Sequence, residues 1–239
     1  MISPVVAKII ELLPDTVTGF LSRNILKMYL KKYADIQVRG MENLKGINTP
    51  IMFIGNHLSN SDGLVLNKVL EDYDVTFVAG VKLNKDAITK LGTYCVKTTP
   101  IKPNTADKEG ISRIIKLLRN KNNIFVFPEG TRSRTGGMIE AKKGPLLIAK
   151  MGKAVIVPVG ICGSEKLMPI DKSGNMYDES FHYAKVKVNI GKPFYFGSRN
   201  KDENKKDYEK RVIDDAMYKI AELIPEEYRG VYSYTKKVV

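Results

Sequence analysis

The chain has 239 residues, of which 43% are hydrophobic and 27% charged, enough for one folded α/β domain with a substantial core. Its net charge is +13, and thirteen basic against four acidic residues lie between Lys97 and Lys153, a concentration that attracts phosphates, nucleic acid or an anionic membrane surface. The two cysteines, Cys95 and Cys162, form no CxxC pair and no metal-ligand spacing, which excludes a zinc site and a disulfide framework and makes a reduced intracellular compartment the default.

Nothing at the start of the chain reads as a cleavable signal. Met1 to Lys32 is apolar but broken by Lys8, Glu11, Pro14, Asp15, Arg23 and Lys27, so no stretch reaches the roughly 20 apolar residues that cross a bilayer. The pattern predicts an amphipathic helical hairpin. Ser3-Pro4 starts a first helix carrying Ile9, Ile10, Leu12 and Leu13. After Pro14, Asp15 can cap a second, in which Val17, Phe20, Leu21, Asn24 and Met28 recur at helical spacing and Lys27, Lys31 and Lys32 gather at the end. Two roles are open: an in-plane membrane anchor with lysines at the headgroups, or a hairpin packed on the domain's own core. The expected division is residues 1–33 for this segment and 34–239 for the α/β domain.

From Asp35 onward, strands and helices alternate. Apolar runs predict strands at Ile36–Val38, Ile51–Ile54, Val75–Val78, Ile124–Phe127, Val155–Val159 and Val186–Ile190. Helical patterns fall at Asp62–Glu71, Asn84–Leu91, Ala106–Asn120 and Ala141–Lys150; Gly197 to Arg211 reads as a polar loop leading into a last helix near Tyr208–Leu223. The alternation predicts a mostly parallel central sheet flanked by helices. Ligands of such sheets bind beyond the carboxyl ends of the strands.

Two segments follow such strand ends. The first is Asn56-His57-Leu58-Ser59-Asn60-Ser61-Asp62. A hydroxyl is a poor nucleophile until a base near neutral pKa removes its proton, and a carboxylate on the other ring nitrogen of a histidine fixes its tautomer. His57 and Asp62 fit that need; the structural alternative is a loop histidine and a helix cap. The second is Phe127-Pro128-Glu129-Gly130-Thr131-Arg132-Ser133-Arg134. Gly130 permits close backbone approach, Thr131 and Ser133 supply hydroxyls, and two arginines suit a phosphate. Glu129 can hold the turn or bind a substrate hydroxyl. There is no GxSxG, no GxxxxGK[ST] and no GxGxxG. His182 reads as structural or exposed.

Together these segments resemble the glycerophospholipid acyltransferase family of the 1-acylglycerol-3-phosphate acyltransferase type. The family's NHx4D signature is matched by Asn56, His57 and Asp62, its FPEGTRS signature by Phe127 through Ser133, and its proline-containing strand by Val155-Ile156-Val157-Pro158-Val159. Its second signature usually carries an arginine; Cys95 to Asn104 has none, with Lys102 or else Lys97 in its place. Lys143 and Gly144 match a less strict family position, or simply start a helix.

The resemblance implies that a fatty acyl group moves from an acyl thioester, carried by coenzyme A or by a carrier protein, to the free hydroxyl of lysophosphatidic acid, giving phosphatidic acid. It casts His57 as base and Asp62 as its partner. Glu129, Gly130, Thr131 and Arg132 bind the glycerol-phosphate end, with Lys102 assisting. No cofactor or metal is required. The acceptor lives in a bilayer, so the enzyme is expected on the cytoplasmic face of an anionic membrane, peripheral or monotopic, with no nucleic-acid partner. Glycerol 3-phosphate or another lysolipid is an alternative acceptor. An inactive membrane-binding relative and a basic nucleic-acid binder are the alternatives from other classes.

Overall fold

In a computed structural model the structure describes residues 13–81, 94–103, 105–171 and 179–233. The predicted helices before Leu13 and at Asn84–Leu91 lie outside the described residues. The second helix of the predicted hairpin is present as α1 (Asp15–Tyr33), which leads directly into β1 (Ala34–Arg39). Then follow β2 (Ile51–Gly55), α2 (Asp62–Val69), β3 (Thr76–Gly80), β4 (Thr98–Ile101), α3 (Lys108–Arg119), β5 (Ile124–Val126), α4 (Gly144–Gly152), β6 (Val155–Cys162), the one-turn α5 (Ser164–Leu167), β7 (Ala184–Ile190) and α6 (Lys205–Ala221).

The described strands form one sheet in the order β1-β7-β6-β2-β5-β3-β4. Neighbours are parallel except β6 and β7, so β7 and β1 run against the other five. The residue patterns explain the layout. β2, β5 and β6 are buried at every position, as parallel strands covered on both faces must be. β7 alternates buried and exposed residues, which suits a strand near the edge.

Alternation along β2 divides the core into two layers. Met52 and Ile54 meet Ile114 and Leu118 of α3, Ile148 of α4 and Met217 and Ile220 of α6. Ile51 and Phe53 point the other way, toward Leu30 of α1 and Val65 and Leu66 of α2. One strand was not predicted and one helix boundary moves. β4 is a polar strand, Thr98-Thr99-Pro100-Ile101, at the sheet edge, where a proline's missing N–H is tolerated. The last helix starts at Lys205 rather than near Tyr208, because the Asn204 side chain accepts a hydrogen bond from the Asp207 amide and caps it there.

Of the two orientations open to α1, the structure has the apolar stripe outward. The helix buries the small residues Thr18, Gly19 and Ser22, and exposes Val17, Phe20 and Met28, the last two by 62% and 59%. The predicted apolar stripe therefore faces outward. Among the described residues no helix is long and apolar enough to cross a membrane.

Candidate active site

β2 and β5 are parallel neighbours, so the two sequence segments leave the sheet side by side at its carboxyl edge. Asn56 is fully buried and clamps the end of β2 to β6: its side-chain nitrogen donates to the Ile161 carbonyl at 2.8 Å, and its oxygen accepts from the Ile161 amide at 2.9 Å. The loop that follows is fixed by Ser59 Oγ donating to the Met168 carbonyl at 2.7 Å and Ser61 Oγ donating to the Ser164 carbonyl at 3.1 Å. His57 sits in this loop half-buried beside a cavity of about 560 Å³, which it helps to line.

His57 Nδ1 lies 2.7 Å from Asp62 Oδ2. The same oxygen accepts from the amides of Leu58 at 2.7 Å and Ser59 at 2.9 Å, and the Asp62 side chain is fully buried. A carboxylate held this way orients the ring, places the proton on Nδ1, and leaves Nε2 as the acceptor. Phe127 stacks on the imidazole with centroids 4.0 Å apart and planes at 15°. Phe127 in turn meets Phe125 at 4.9 Å, and Phe125 meets Phe77 at 5.1 Å, so a column of rings ties the histidine to the sheet's core.

Glu129 joins the two segments. It is 1% exposed; Oε1 accepts from the His57 amide at 2.9 Å and Oε2 from the Ile139 amide at 3.0 Å. Burial pushes its carboxyl up to about 7, against the pull of those two amides. Both oxygens are thus committed to backbone, and of the two roles open to it the geometry fits holding the turn. A further clasp runs from the Ser133 amide to the His57 carbonyl at 2.8 Å.

Gly130 turns the chain with φ +71°, a left-handed conformation that suits glycine, and Gly130 and Thr131 line the cavity. Arg132 is not free in the way its sequence context suggests. Its Nη1 donates to Glu179 Oε1 at 2.7 Å, and the other Glu179 oxygen accepts from Asn60 Nδ2 at 2.6 Å. Glu179 is 1% exposed at its side chain. Arg134 is exposed and does not line the cavity. Lys102 is exposed on the cavity wall at the end of β4, its amide held by Asp107 Oδ2 at 2.8 Å.

Lys143 precedes α4 and pairs with Glu209 at 3.0 Å, so it serves the helix start. His182 is exposed, 3.0 Å from Ser180 Oγ. Cys95 lines the cavity, and burial pushes its thiol up to about 11, which keeps it protonated and poorly nucleophilic at neutral pH. Among the described residues no cluster of His, Cys, Asp and Glu could hold a metal.

The family model described as Acyltransferase matches residues 35–162, from the first strand through the end of β6. The chain belongs to this acyltransferase family. A curated relative is the chloroplastic 1-acyl-sn-glycerol-3-phosphate acyltransferase LPAT1 of Arabidopsis thaliana, 26% identical over 74% of this chain and 48% of that protein. The Brassica napus protein BAT2, of the same description, is 28% identical over 77% of this chain and 49% of its own. This acyltransferase chain therefore spans about half the length of those two relatives. It covers 80% of the Bacillus subtilis 1-acyl-sn-glycerol-3-phosphate acyltransferase, at 28% identity over 72% of this chain. The crystal structure of the 1-acyl-sn-glycerophosphate (LPA) acyltransferase PlsC of Thermotoga maritima superposes with a TM-score of 0.55 at 23% identity, covering 90% of this chain and 85% of that one, and shares the fold.

Two acyltransferase features escaped the sequence reading. Glu179 sits 47 residues beyond Arg132 and carries no local motif. The segment around it is held by Phe181, whose ring packs 5.4 Å from Tyr29 and 6.3 Å from Tyr33 of α1. The inner side of α1, through Ile25, Leu26 and Tyr29, then forms one wall of the cavity. No periodicity in the sequence distinguishes that wall from the stripe on the opposite side.

Proposed function

We propose that the protein transfers a fatty acyl group from an acyl thioester to the free hydroxyl of lysophosphatidic acid, giving phosphatidic acid. The observation that carries this is the His57–Asp62 pair at 2.7 Å on the wall of a largely apolar cavity that Gly130 and Thr131 also line. Nε2 takes the hydroxyl proton as the oxygen attacks the thioester carbonyl. The Asp62 carboxylate stabilises the imidazolium that forms. The tetrahedral intermediate collapses, the carbon–sulfur bond breaks, and the imidazolium returns the proton to the thiolate. The amides of His57, Leu58, Ser59, Gly130 and Ser133 are committed to the loops' own hydrogen bonds, which directs the oxyanion toward the Thr131 end of the turn. Glu129 fixes that turn relative to the base, and Lys102 faces the phosphate end of the acceptor.

The acceptor's bilayer is met by α1. Its outward Val17, Phe20 and Met28 enter lipid, and Lys27, Lys31 and Lys32 at its end meet anionic headgroups on the cytoplasmic face. The test is acyl transfer from acyl-coenzyme A to lysophosphatidic acid in mixed vesicles, followed by mass spectrometry of the product. Phosphatidic acid from the wild type, formed about a hundredfold or more slowly by His57→Ala, supports the reading. Equal product from both defeats it.

A further inference from the structure

The chemistry proposed above needs a net positive charge where the acceptor's phosphate sits. Arg132 is paired at 2.7 Å with the buried Glu179 carboxylate, which offsets its charge, and it does not line the cavity. The described lysines and arginines that line the cavity are Lys102 and Lys142. Lys142 is exposed and forms no ion pair with a carboxylate among the described residues, whereas its neighbour Lys143 is engaged by Glu209.

The position of Lys142 is fixed. Its amide donates to the Pro128 carbonyl at 2.8 Å, which hangs the residue on the FPEGTRS segment itself. Its stem runs beside Gly130: a Cβ placed on that glycine would lie 3.4 Å from Lys142 Cγ and 3.9 Å from Cε. These are ordinary contact distances, so the requirement for glycine there is its φ of +71°. The side chain therefore runs beside the Gly130 turn and lines the same cavity as Lys102.

We infer that Lys142 recognises the acceptor's phosphomonoester, acting with Lys102, the other lysine that lines this cavity. This rests on the function proposed above. It makes Lys142 a specificity-determining residue outside the FPEGTRS signature, and it separates the roles of two adjacent lysines.

The experiment measures kcat and KM for lysophosphatidic acid at saturating acyl-coenzyme A for the wild type, Lys142→Ala, Lys142→Arg and Lys143→Ala. Loss of one charge-assisted contact is expected to raise KM about tenfold to a hundredfold in Lys142→Ala, with a smaller change in kcat. Lys142→Arg keeps the charge and recovers most of the affinity, and Lys143→Ala behaves as the wild type. An active wild type whose KM is unchanged by Lys142→Ala, or equally raised by Lys143→Ala, overturns the assignment alone. A wild type that does not acylate lysophosphatidic acid overturns the proposed function and this assignment with it.

Discussion

The carboxylate of Glu129 accepts a hydrogen bond from the backbone amide of His57 at 2.9 Å, across 72 residues of chain. A single buried side chain therefore sets the distance between the histidine and the Gly130 turn. The second Glu129 oxygen holds the Ile139 amide, and the adjoining Met138 is paired with the C-terminal segment through the Tyr228 carbonyl at 2.8 Å and the Val231 amide at 3.1 Å. The site is braced from the core on one side and from the end of the described chain on the other.

Removing the imidazole in His57→Ala should cost about 10²–10⁴-fold in the rate of acyl transfer. Asp62→Asn is a cleaner test of charge. Asp62 Oδ2 carries all three hydrogen bonds, while Oδ1 is buried with no partner among the described residues. An asparagine oxygen can take over the three bonds and its NH2 the orphan position. The expected outcome is a thermal midpoint near that of the wild type with kcat lowered by orders of magnitude. A kcat equal to wild type would show that the carboxylate's charge is dispensable.

Glu129→Gln turns one acceptor into a donor that faces a backbone N–H. At about pH 5 this should destabilise the fold by about 1–3 kcal/mol in equilibrium urea unfolding. The wild type has a compensating weakness. Its carboxyl is raised from the ordinary 4.5 to about 7 by burial. Between those values the unfolded chain ionises and the folded one does not, so this group's contribution is full below 4.5 and falls away as pH rises to about 7. The stability gap between wild type and Glu129→Gln should narrow over that interval. A gap that widens would contradict the assignment.

Gly55→Ala places a Cβ 2.8 Å from the Phe125 ring and 3.0 Å from the Val159 carbonyl, two residues before His57. The ring belongs to the column that supports the imidazole, and the carbonyl belongs to β6 and cannot give way. Overpacking of this kind costs about 1–3 kcal/mol. Both the unfolding midpoint and kcat should fall, and kcat should not recover at low temperature, where the fold is fully populated.

Phe20→Asp combined with Met28→Asp removes the outward stripe of α1 without touching the cavity wall made by Ile25, Leu26 and Tyr29. Burying a phenylalanine in lipid contributes about 1.5–3 kcal/mol, so co-sedimentation with anionic vesicles should weaken by about tenfold or more. Turnover of a short-chain, water-soluble acceptor should persist. Undiminished vesicle binding would remove α1 from the membrane contact.

The sheet was readable where burial writes long apolar runs, as in Ile51–Ile54 and Val155–Val159. Thr98–Ile101 was not, because an edge strand needs no apolar run and its proline argues against a strand. The base and its carboxylate were legible because they lie five residues apart on one loop. The Arg132–Glu179 pair was not, since its partners meet only through the packing of Phe181 on α1. Apolar spacing in α1 revealed the stripe correctly but carries no sign, so inward and outward readings look alike in sequence. Small residues at Thr18, Gly19 and Ser22 were the hint that this helix approaches the body by its other side.

That outward stripe has a practical corollary. Phe20 and Met28 present grease to whatever surrounds the molecule, and grease is indifferent to whether a bilayer, a micelle or a sister molecule hides it. In plain buffer the easiest cover is another copy, so light scattering should climb with concentration. A mild detergent should return the preparation to single particles, and the two aspartate substitutions should do the same without detergent.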